Sequence, residues 1–253
     1  MTSRKPTSAS HAFVWIWLPG ASKPIVAGRL TSVEGEYRFV YGRSYLGNPD
    51  AIPIYDPELP LTSQEQRPLN GLIMPSSVRD ASPDAWGRRV ILNRTYGLKG
   101  DNLNGYDLDE LTFLLQSGSD RIGALDFQAS PTRYIARSAK AVSLDHLITA
   151  AERVEKNLPL SPELDQALHH GSSIGGARPK ALIEDGDQKF IAKFSSSSDT
   201  YSIVKGEYVA MRLAALCGLT VAPVRMVKSS GKDVLLVSRF DRTASGDDWL
   251  RHS

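Results

Sequence analysis

The stretch from residue 180 to residue 240 leaves few folds open. Two pairs of short apolar runs, KALIE (180–184) with KFIAKF (189–194) and VAPVRMV (221–227) with DVLLVSRF (233–240), are each joined by a tight polar turn. Asp185-Gly186 closes the first pair and SSGK separates the second, so both read as antiparallel hairpins. Between them, IVKGEYVAMRLAALCGL repeats apolar residues at three-to-four spacing through Val204, Tyr208, Met211 and Ala215, and it stops at Gly218. That is the pattern of an amphipathic helix. Upstream lies GSSIGGARPK (171–180), with three glycines, one proline and two cations in ten positions. The order is therefore Gly-rich loop, hairpin, helix, hairpin.

The first half is organised differently. FVWIWL (13–18) is apolar on both faces and reads as a strand covered on both sides, followed by strands in PIVAGRL (24–30) and YRFVYGRSY (37–45). The turn at Glu34-Gly35-Glu36 joins the last two into a β-meander. Residues 48–75 are dense in proline, which predicts an extended but ordered loop. In DASPDAWGRRVILNRTYG, Ser82 suits a helix N-cap, Pro83 the first turn and Gly97 the stop; Trp86, Val90 and Ile91 share one face, leaving Arg88, Arg89 and Arg94 for the solvated side. DLDELTFLLQSG (107–118) predicts a short helix and RIGALDF (121–127) a strand. Two capped helices start at Ser143 and Ser161, the second closed by Gly171. The chain as a whole reads as α+β, with a tail over 1–12, an N-terminal part over 13–140 and a second part over 141–253.

The bulk numbers exclude more than they select. Lys and Arg number 30 against 28 Asp and Glu in 253 residues, a net charge of +2, which is no nucleic-acid footprint. The apolar run at 13–18 is too short for a signal peptide or a membrane span. Cys217 is the single cysteine, so there is no internal disulfide; it reads as an inert buried thiol in a reducing, cytoplasmic setting. His169-His170 lacks a third ligand at metal spacing and reads as structural.

Chemistry enters through two charges placed where the pattern expects burial. Glu207 lies inside the apolar stripe of the predicted helix, and Lys193 sits between Ala192 and Phe194 in a strand otherwise built for a core. Either Glu207 stands at the stripe's edge while Lys193 snorkels to water, or the two form an ion pair in a cleft. The paired arrangement would orient an anion, and beside a Gly-rich loop the natural anion is phosphate. The loop matches neither the Walker nor the dinucleotide glycine pattern, and a flexible linker has the same composition. Loop, strand lysine and helix glutamate in that order nevertheless resemble the N-lobe of a protein kinase.

The ordered set SSIGGARPKALI, FIAKF, GEYVAMRLAALCGL and LLVSRFDR resembles the HipA family of bacterial serine/threonine kinases, the toxins of type II toxin–antitoxin systems. RFVYGRSYL, SPDAWGRRVI and DRIGALDF resemble that family's N-terminal subdomain, and the likeness runs from about residue 13 to 242. It implies a HipA-like N-terminal subdomain followed by a kinase-like N-lobe. It also implies that Lys193 contacts the ATP phosphates with Glu207 supporting it, that Lys180 stands near the nucleotide at the exit of the loop containing Gly175 and Gly176, and that the backbone from Ser238 to Phe240 meets adenine. Ser173 falls at the family's autophosphorylated serine, whose modification moves the loop and repels nucleotide.

The family's catalytic aspartate loop and its Mg²⁺ ligands lie downstream of the FDR segment, and the eleven residues after Arg242, TASGDDWLRHS, hold neither. Asp247 and Asp248 fall in a polar run that reads as a loop. The expectation is a truncated, catalytically impaired kinase without a C-lobe and with no catalytic residue of its own. ATP and Mg²⁺ are the implied cofactors. The implied partners are a small DNA-binding HipB-like antitoxin and, as substrate, a protein of the tRNA-charging or translation machinery; no membrane and no direct nucleic-acid contact are expected. Two rivals stand beside it: a non-catalytic module that docks the antitoxin or another partner, and an unrelated small-molecule ATP-dependent transferase with a similar lobe.

Overall fold

The computed structural model describes residues 9–96, 108–137, 142–168, 172–246 and 248–251. Expectations for residues 1–8, for the helix stop at Gly97, for His169, His170 and Gly171, and for Asp247 lie outside the described residues.

The first half builds an antiparallel sheet in the order β3-β2-β1-β4, from β1 (His11–Ile16), β2 (Ile25–Val33), β3 (Glu36–Tyr41) and β4 (Leu125–Gln128). β1 starts two residues before the expected strand and is paired on both edges, by β2 and β4; Val14 and Ile16 enter the core on one face and Trp15 packs against Tyr134 on the other, which is why both faces are apolar. Three short helices accompany the sheet: α1 (Arg43–Leu46), α2 (Ser76–Asp80) and α4 (Glu110–Gln116); the longer α3 (Ala85–Tyr96) precedes α4 in the chain. Val14, Leu30, Phe39, Leu59, Met74, Leu111, Leu114 and Phe127 form the core.

The proline-rich segment is extended and ordered, because two tyrosines satisfy its backbone. The Tyr41 hydroxyl donates to Leu59 O at 2.7 Å and accepts from Ile54 N at 2.9 Å, and the Tyr45 hydroxyl donates to Ile52 O at 2.8 Å. Further along, Phe39 and Gln66 exchange backbone hydrogen bonds of 2.9 and 2.7 Å. A loop tied to a sheet edge in this way keeps its peptide groups paired without regular structure.

The second half is the predicted hairpin, helix and hairpin. β5 (Lys180–Asp185), β6 (Gln188–Phe194), β7 (Val224–Ser229) and β8 (Lys232–Ser238) form an antiparallel sheet in the order β5-β6-β8-β7, with α7 (Ile203–Leu216) between the hairpins in sequence. Strand alternation sends Phe190, Ala192 and Phe194 to one face, where they pack with Val234 and Leu236 against α5 (Leu144–Glu155) and α6 (Pro162–Leu168). Trp86 and Val90 of α3 enter this same core, so a helix from the first half helps to bury the second sheet. Ser143 caps α5 as expected, accepting from His146 N.

Four local expectations are corrected. α3 begins at Ala85 rather than directly after Ser82, whose hydroxyl instead bonds Glu110 at 3.1 Å. Arg88, Arg89 and Arg94 tie α3 to its neighbours rather than facing solvent alone: Arg88 reaches Glu110 at 2.6 Å and lies 4.4 Å over the Phe113 ring, Arg89 donates to Glu155 O, and Arg94 pairs with Asp165. Cys217 is exposed, because it follows the end of a helix that buries only Val204. The polar C-terminal run is a hairpin, β9 (Arg242–Ser245) with β10 (Asp248–Arg251), turned at Gly246 with φ +60°. Its side chains reach back into the molecule: Lys189 lies 4.8 Å over the Trp249 ring, and Arg251 lies 3.3 Å over Trp17.

Candidate functional site

The two charges singled out by their positions meet. Lys193 Nζ donates to Glu207 Oε1, joining β6 to α7. Their side chains are 29% and 32% exposed, so the pair stands at the edge of a cleft, neither sealed in the core nor released to water. Period-two alternation explains why Lys193 faces α7: it points away from the Phe190, Ala192 and Phe194 face, on the side that carries Ile191.

Lys180 stands directly opposite Lys193 in the β5–β6 register and therefore on the same face. It is 4% exposed and donates to Gly175 O at 2.8 Å. Burial, with the Lys193 charge adding to it, pushes the Lys180 ammonium down to about 8, while Asp84 and Glu207 act against the shift. The two adjacent cations are matched by two carboxylates, Glu207 on Lys193 and Asp84 at the loop beside Lys180.

The Gly-rich loop is anchored, which separates it from a flexible linker. Ser172, Ser173 and Ile174 are buried, while Gly175 and Gly176 are exposed. Gly118 N donates to the Ser172 hydroxyl at 3.1 Å. Gly176 N donates to Asp84 Oδ2 at 2.6 Å and Gly176 O accepts from Trp86 N at 3.2 Å, so the approach to α3 clamps the loop from both directions. Two glycines are obligatory for this packing. A Cβ on Gly87 would fall 2.0 Å from Ser172 O, and Gly176 combines φ +103° with a Cβ position 2.7 Å from Lys180 Nζ. Arg178, at the end of the loop, pairs with Asp199 at 2.6 Å and fixes the connection that leads into α7.

The remaining predicted positions are placed as follows. Ser173 is 4% exposed, and its Oγ has no hydrogen-bond partner among the described residues. Ser238 and Arg239 have their N–H groups donated within the sheet, to Pro223 O at 2.9 Å and Lys189 O at 2.8 Å, and Phe240 is 85% exposed. The structure thus brings Ser173, Gly175, Gly176, Lys180, Lys193 and Glu207 into one region. Ser238 and Phe240 lie at the far end of the neighbouring strand, since Phe190 rather than Lys193 is the register partner of Ser238.

Sequence reasoning missed the charges interleaved with that strand end. Arg239 pairs with Asp241 at 2.7 Å and with Asp120 at 3.0 Å; Arg242 pairs with Asp241 at 2.8 Å and with Asp120 at 3.0 Å; and Lys189 adds a third cation to Asp120 at 2.8 Å. Both guanidinium groups also donate to Arg121 O. Arg121 is itself wholly buried, pairing with Asp126 at 3.0 Å and donating to Ala81 O at 2.7 Å. The network connects the end of β8 to the turn before β4, and so joins the two sheets. The one available signal was the density of charge in SRFDR, which spacing alone cannot assign to a partner more than a hundred residues upstream.

Chemically, the first cluster can hold an anion through two lysines on one sheet face and a carboxylate that positions one of them, beside an exposed glycine pair whose Gly176 N–H is taken by Asp84. Among the described residues no group of three or more His, Cys, Asp or Glu could hold a metal ion, and no helix is long and apolar enough to cross a membrane.

Comparison with known proteins adds the following. Residues 18–128 match the model of the HipA N-terminal domain, and residues 172–253 match that of the HipA-like C-terminal domain. A curated relative from Sinorhizobium fredii, named "Putative kinase Y4mE", is 24% identical over 251 residues, covering 92% of this chain and 54% of its own length. Among solved structures, the complex of HipA, HipB and operator DNA from the Shewanella oneidensis MR-1 toxin–antitoxin system matches with a TM-score of 0.53 and 18% identity, covering 95% of this chain and 53% of that one. The chain therefore spans about half the length of the proteins it matches.

Proposed function

The chain belongs to the HipA family, and from that premise we propose that its second sheet and α7 form the nucleotide-binding lobe of a HipA-type toxin kinase, of which the whole protein would phosphorylate a serine or threonine on a protein substrate. The observation that carries this reading is the ion pair between Lys193 and Glu207, set beside Lys180 and a clamped Gly-rich loop. In this reading Lys193 and Lys180 take the ATP phosphates, Glu207 holds Lys193 in place, and Gly175 and Gly176 let the loop backbone approach the phosphates. The residues fit the ligand: an added polyanion would relieve the repulsion between the two ammonium groups, and the phosphates would replace Asp84 as the acceptor of Gly176 N. Mg²⁺ is assigned no ligand among the described residues and would reach the site as Mg-ATP.

Ser173 fits the proposed regulatory serine in one specific respect. A phosphate dianion cannot stay in a site that is 4% exposed beside buried Ile174, so phosphorylation would have to expel the segment and with it the loop above Lys180. The proposed partner is a HipB-like DNA-binding antitoxin, in line with the Shewanella complex, with contact to DNA made through that partner.

Titrating a fluorescent ATP analogue tests the site. Lys193→Met should weaken binding at least about tenfold and Glu207→Gln by less, since Glu207 acts through the lysine. Equal affinity in Lys193→Met would refute the assignment. Absence of nucleotide binding altogether would favour the docking module, for which the exposed Val209, Leu213, Leu216 and Leu219 at α7 and its C-terminal end are the supporting observation.

A further inference from the structure

Asp84 holds a place on the Gly-rich loop that an oxyanion would take. It immediately precedes α3, where its carbonyl accepts from Arg88 N at 2.9 Å, and its carboxylate crosses to the loop to receive Gly176 N at 2.6 Å. A Cβ added to Gly175 would fall 2.9 Å from the same carboxylate oxygen, so Asp84 lies directly against the exposed glycine pair. Lys180 holds these two glycines as well: its Nζ donates to Gly175 O at 2.8 Å and stands 2.7 Å from the Cβ position of Gly176. The Asp84 charge acts on Lys180 in favour of the protonated form. A backbone N–H, an ammonium group and a carboxylate thus meet at one glycine pair, and the carboxylate makes the charge-assisted bond that a phosphate oxygen would otherwise make.

We propose that Asp84 is a built-in competitor of the nucleotide phosphates, a carboxylate from the first half of the chain that sets how tightly the loop takes ATP; this rests on the assignment of the loop and its lysines to the nucleotide. A phosphate oxygen gains Gly176 N–H only when Asp84 gives it up. A carboxylate that stayed in place would stand beside the phosphates as a like charge, which also lowers affinity. Asp84 is exposed, so it can turn into water once displaced and keep its hydration. The loop does not come free when it leaves, because Trp86 N still bonds Gly176 O at 3.2 Å and Gly87 still lets α3 pack against Ser172. Bracing and competing are therefore separable by charge. A side chain that only braced the loop would serve equally well as asparagine, whose amide oxygen accepts from the same N–H. A competitor acts through its negative charge.

The test titrates ATP, inorganic tripolyphosphate and adenosine into the full chain by calorimetry, comparing wild type with Asp84→Asn and with Lys193→Met. The asparagine variant is isosteric at an exposed position and removes only the charge. It should bind ATP and tripolyphosphate about five- to tenfold more tightly than wild type, and adenosine with unchanged affinity. A gain confined to phosphate-bearing ligands is a readout that loss of a brace would not give. The proposal is overturned if Asp84→Asn binds ATP no better than wild type, or if adenosine gains as much as ATP, and weaker binding in Lys193→Met would then leave the nucleotide site standing without its competitor. If Lys193→Met binds ATP as well as wild type, or if neither wild type nor Asp84→Asn binds it, the assignment beneath the proposal falls and the proposal falls with it.

Discussion

Replacing Asp120 by asparagine removes the central charge of the cluster that joins the two sheets. Asp120 receives Arg239, Arg242 and Lys189 at 3.0, 3.0 and 2.8 Å, and the two guanidinium side chains are each 1% exposed. Without it, both guanidiniums depend on Asp241 for charge, and Lys189 retains only Glu184 at 3.6 Å on a more exposed side. Removing one partner of a buried ion pair commonly costs about 3–5 kcal/mol, because the other charges stay behind. Asparagine keeps one acceptor and Lys189 has an alternative partner, so the lower end of that range, about 3 kcal/mol, is expected. For a chain of this size that is a fall in Tm of roughly 6–12 °C. Urea denaturation read by tryptophan fluorescence measures it, with Glu184→Gln as an exposed control expected within about 0.5 kcal/mol of wild type. The pH dependence supplies an independent reading. Burial acts to raise the Asp120 carboxyl, but the Arg239, Lys189 and Arg242 charges outweigh it and hold the group well below the ordinary carboxylate range. Asp126 and Asp241 are lowered in the same sense. A folded value below the unfolded one means stability that is fully present above about pH 4 and is lost as pH falls below it. The acid limb of Asp120→Asn should accordingly be shallower than that of wild type. A loss under about 1 kcal/mol together with an unchanged acid limb would show that these pairs are no more than surface ion pairs, and the account of how the sheets are joined would fail.

Two further outcomes follow from the candidate site. Gly87→Ala gains up to about 1 kcal/mol of helix propensity, yet its Cβ would sit 2.0 Å from Ser172 O, so a net destabilisation of about 1–3 kcal/mol is expected, together with faster amide exchange at Gly175 and Gly176; a stabilised variant would mean that the loop is not clamped against α3. Lys180 titrates near 8 when folded and above 10 when unfolded, so between those values the unfolded chain holds the extra proton and stability rises with pH, a rise that Lys180→Met should remove. In the same window the affinity for an ATP analogue should fall as pH increases through 8, because the phosphates would lose a cation, and a flat affinity profile would detach Lys180 from the site.

The parts of this molecule that could be read in its sequence are those decided by local pattern. The two hairpins and α7 follow from turn residues at fixed places and from apolar spacing, which the backbone obeys within two or three residues. Lys193 and Glu207 were legible as a pair for the same reason: each breaks an apolar pattern, and only one short loop separates their elements. Where local pattern and packing disagreed, packing decided. Arg88, Arg89 and Arg94 sit on what the helical period marks as a polar face, but α4, α5 and α6 come to that face and turn the arginines into ties. The C-terminal run has a composition suited to a loop, yet the contacts of Trp249 with Lys189 and of Arg251 with Trp17 draw it into a strand pair.

The buried charges show most clearly why the remainder could not be read. Arg239, Asp241 and Arg242 occupy the end of a strand where exposed charge is ordinary, so nothing local marks them as interior. What buries them is the turn at Asp120 and Arg121, whose carboxylate and carbonyl oxygen supply acceptors that no spacing rule connects to residues so far downstream. The same arrangement bears on the proposed nucleotide site. Arg239 N is held by Lys189 O, and Lys189 Nζ is held by Asp120, so the end of β8 and the β6 strand that carries Lys193 are braced by one carboxylate from the other sheet. An asparagine at position 120 should therefore loosen the segment from Ser238 to Phe240 while leaving the pair between Lys193 and Glu207 in place. Amide exchange would then rise at Arg239 by more than the increase that the lower global stability gives to core amides such as Lys193. Equal increases at both would mean that the whole sheet, not only its end, depends on the joint.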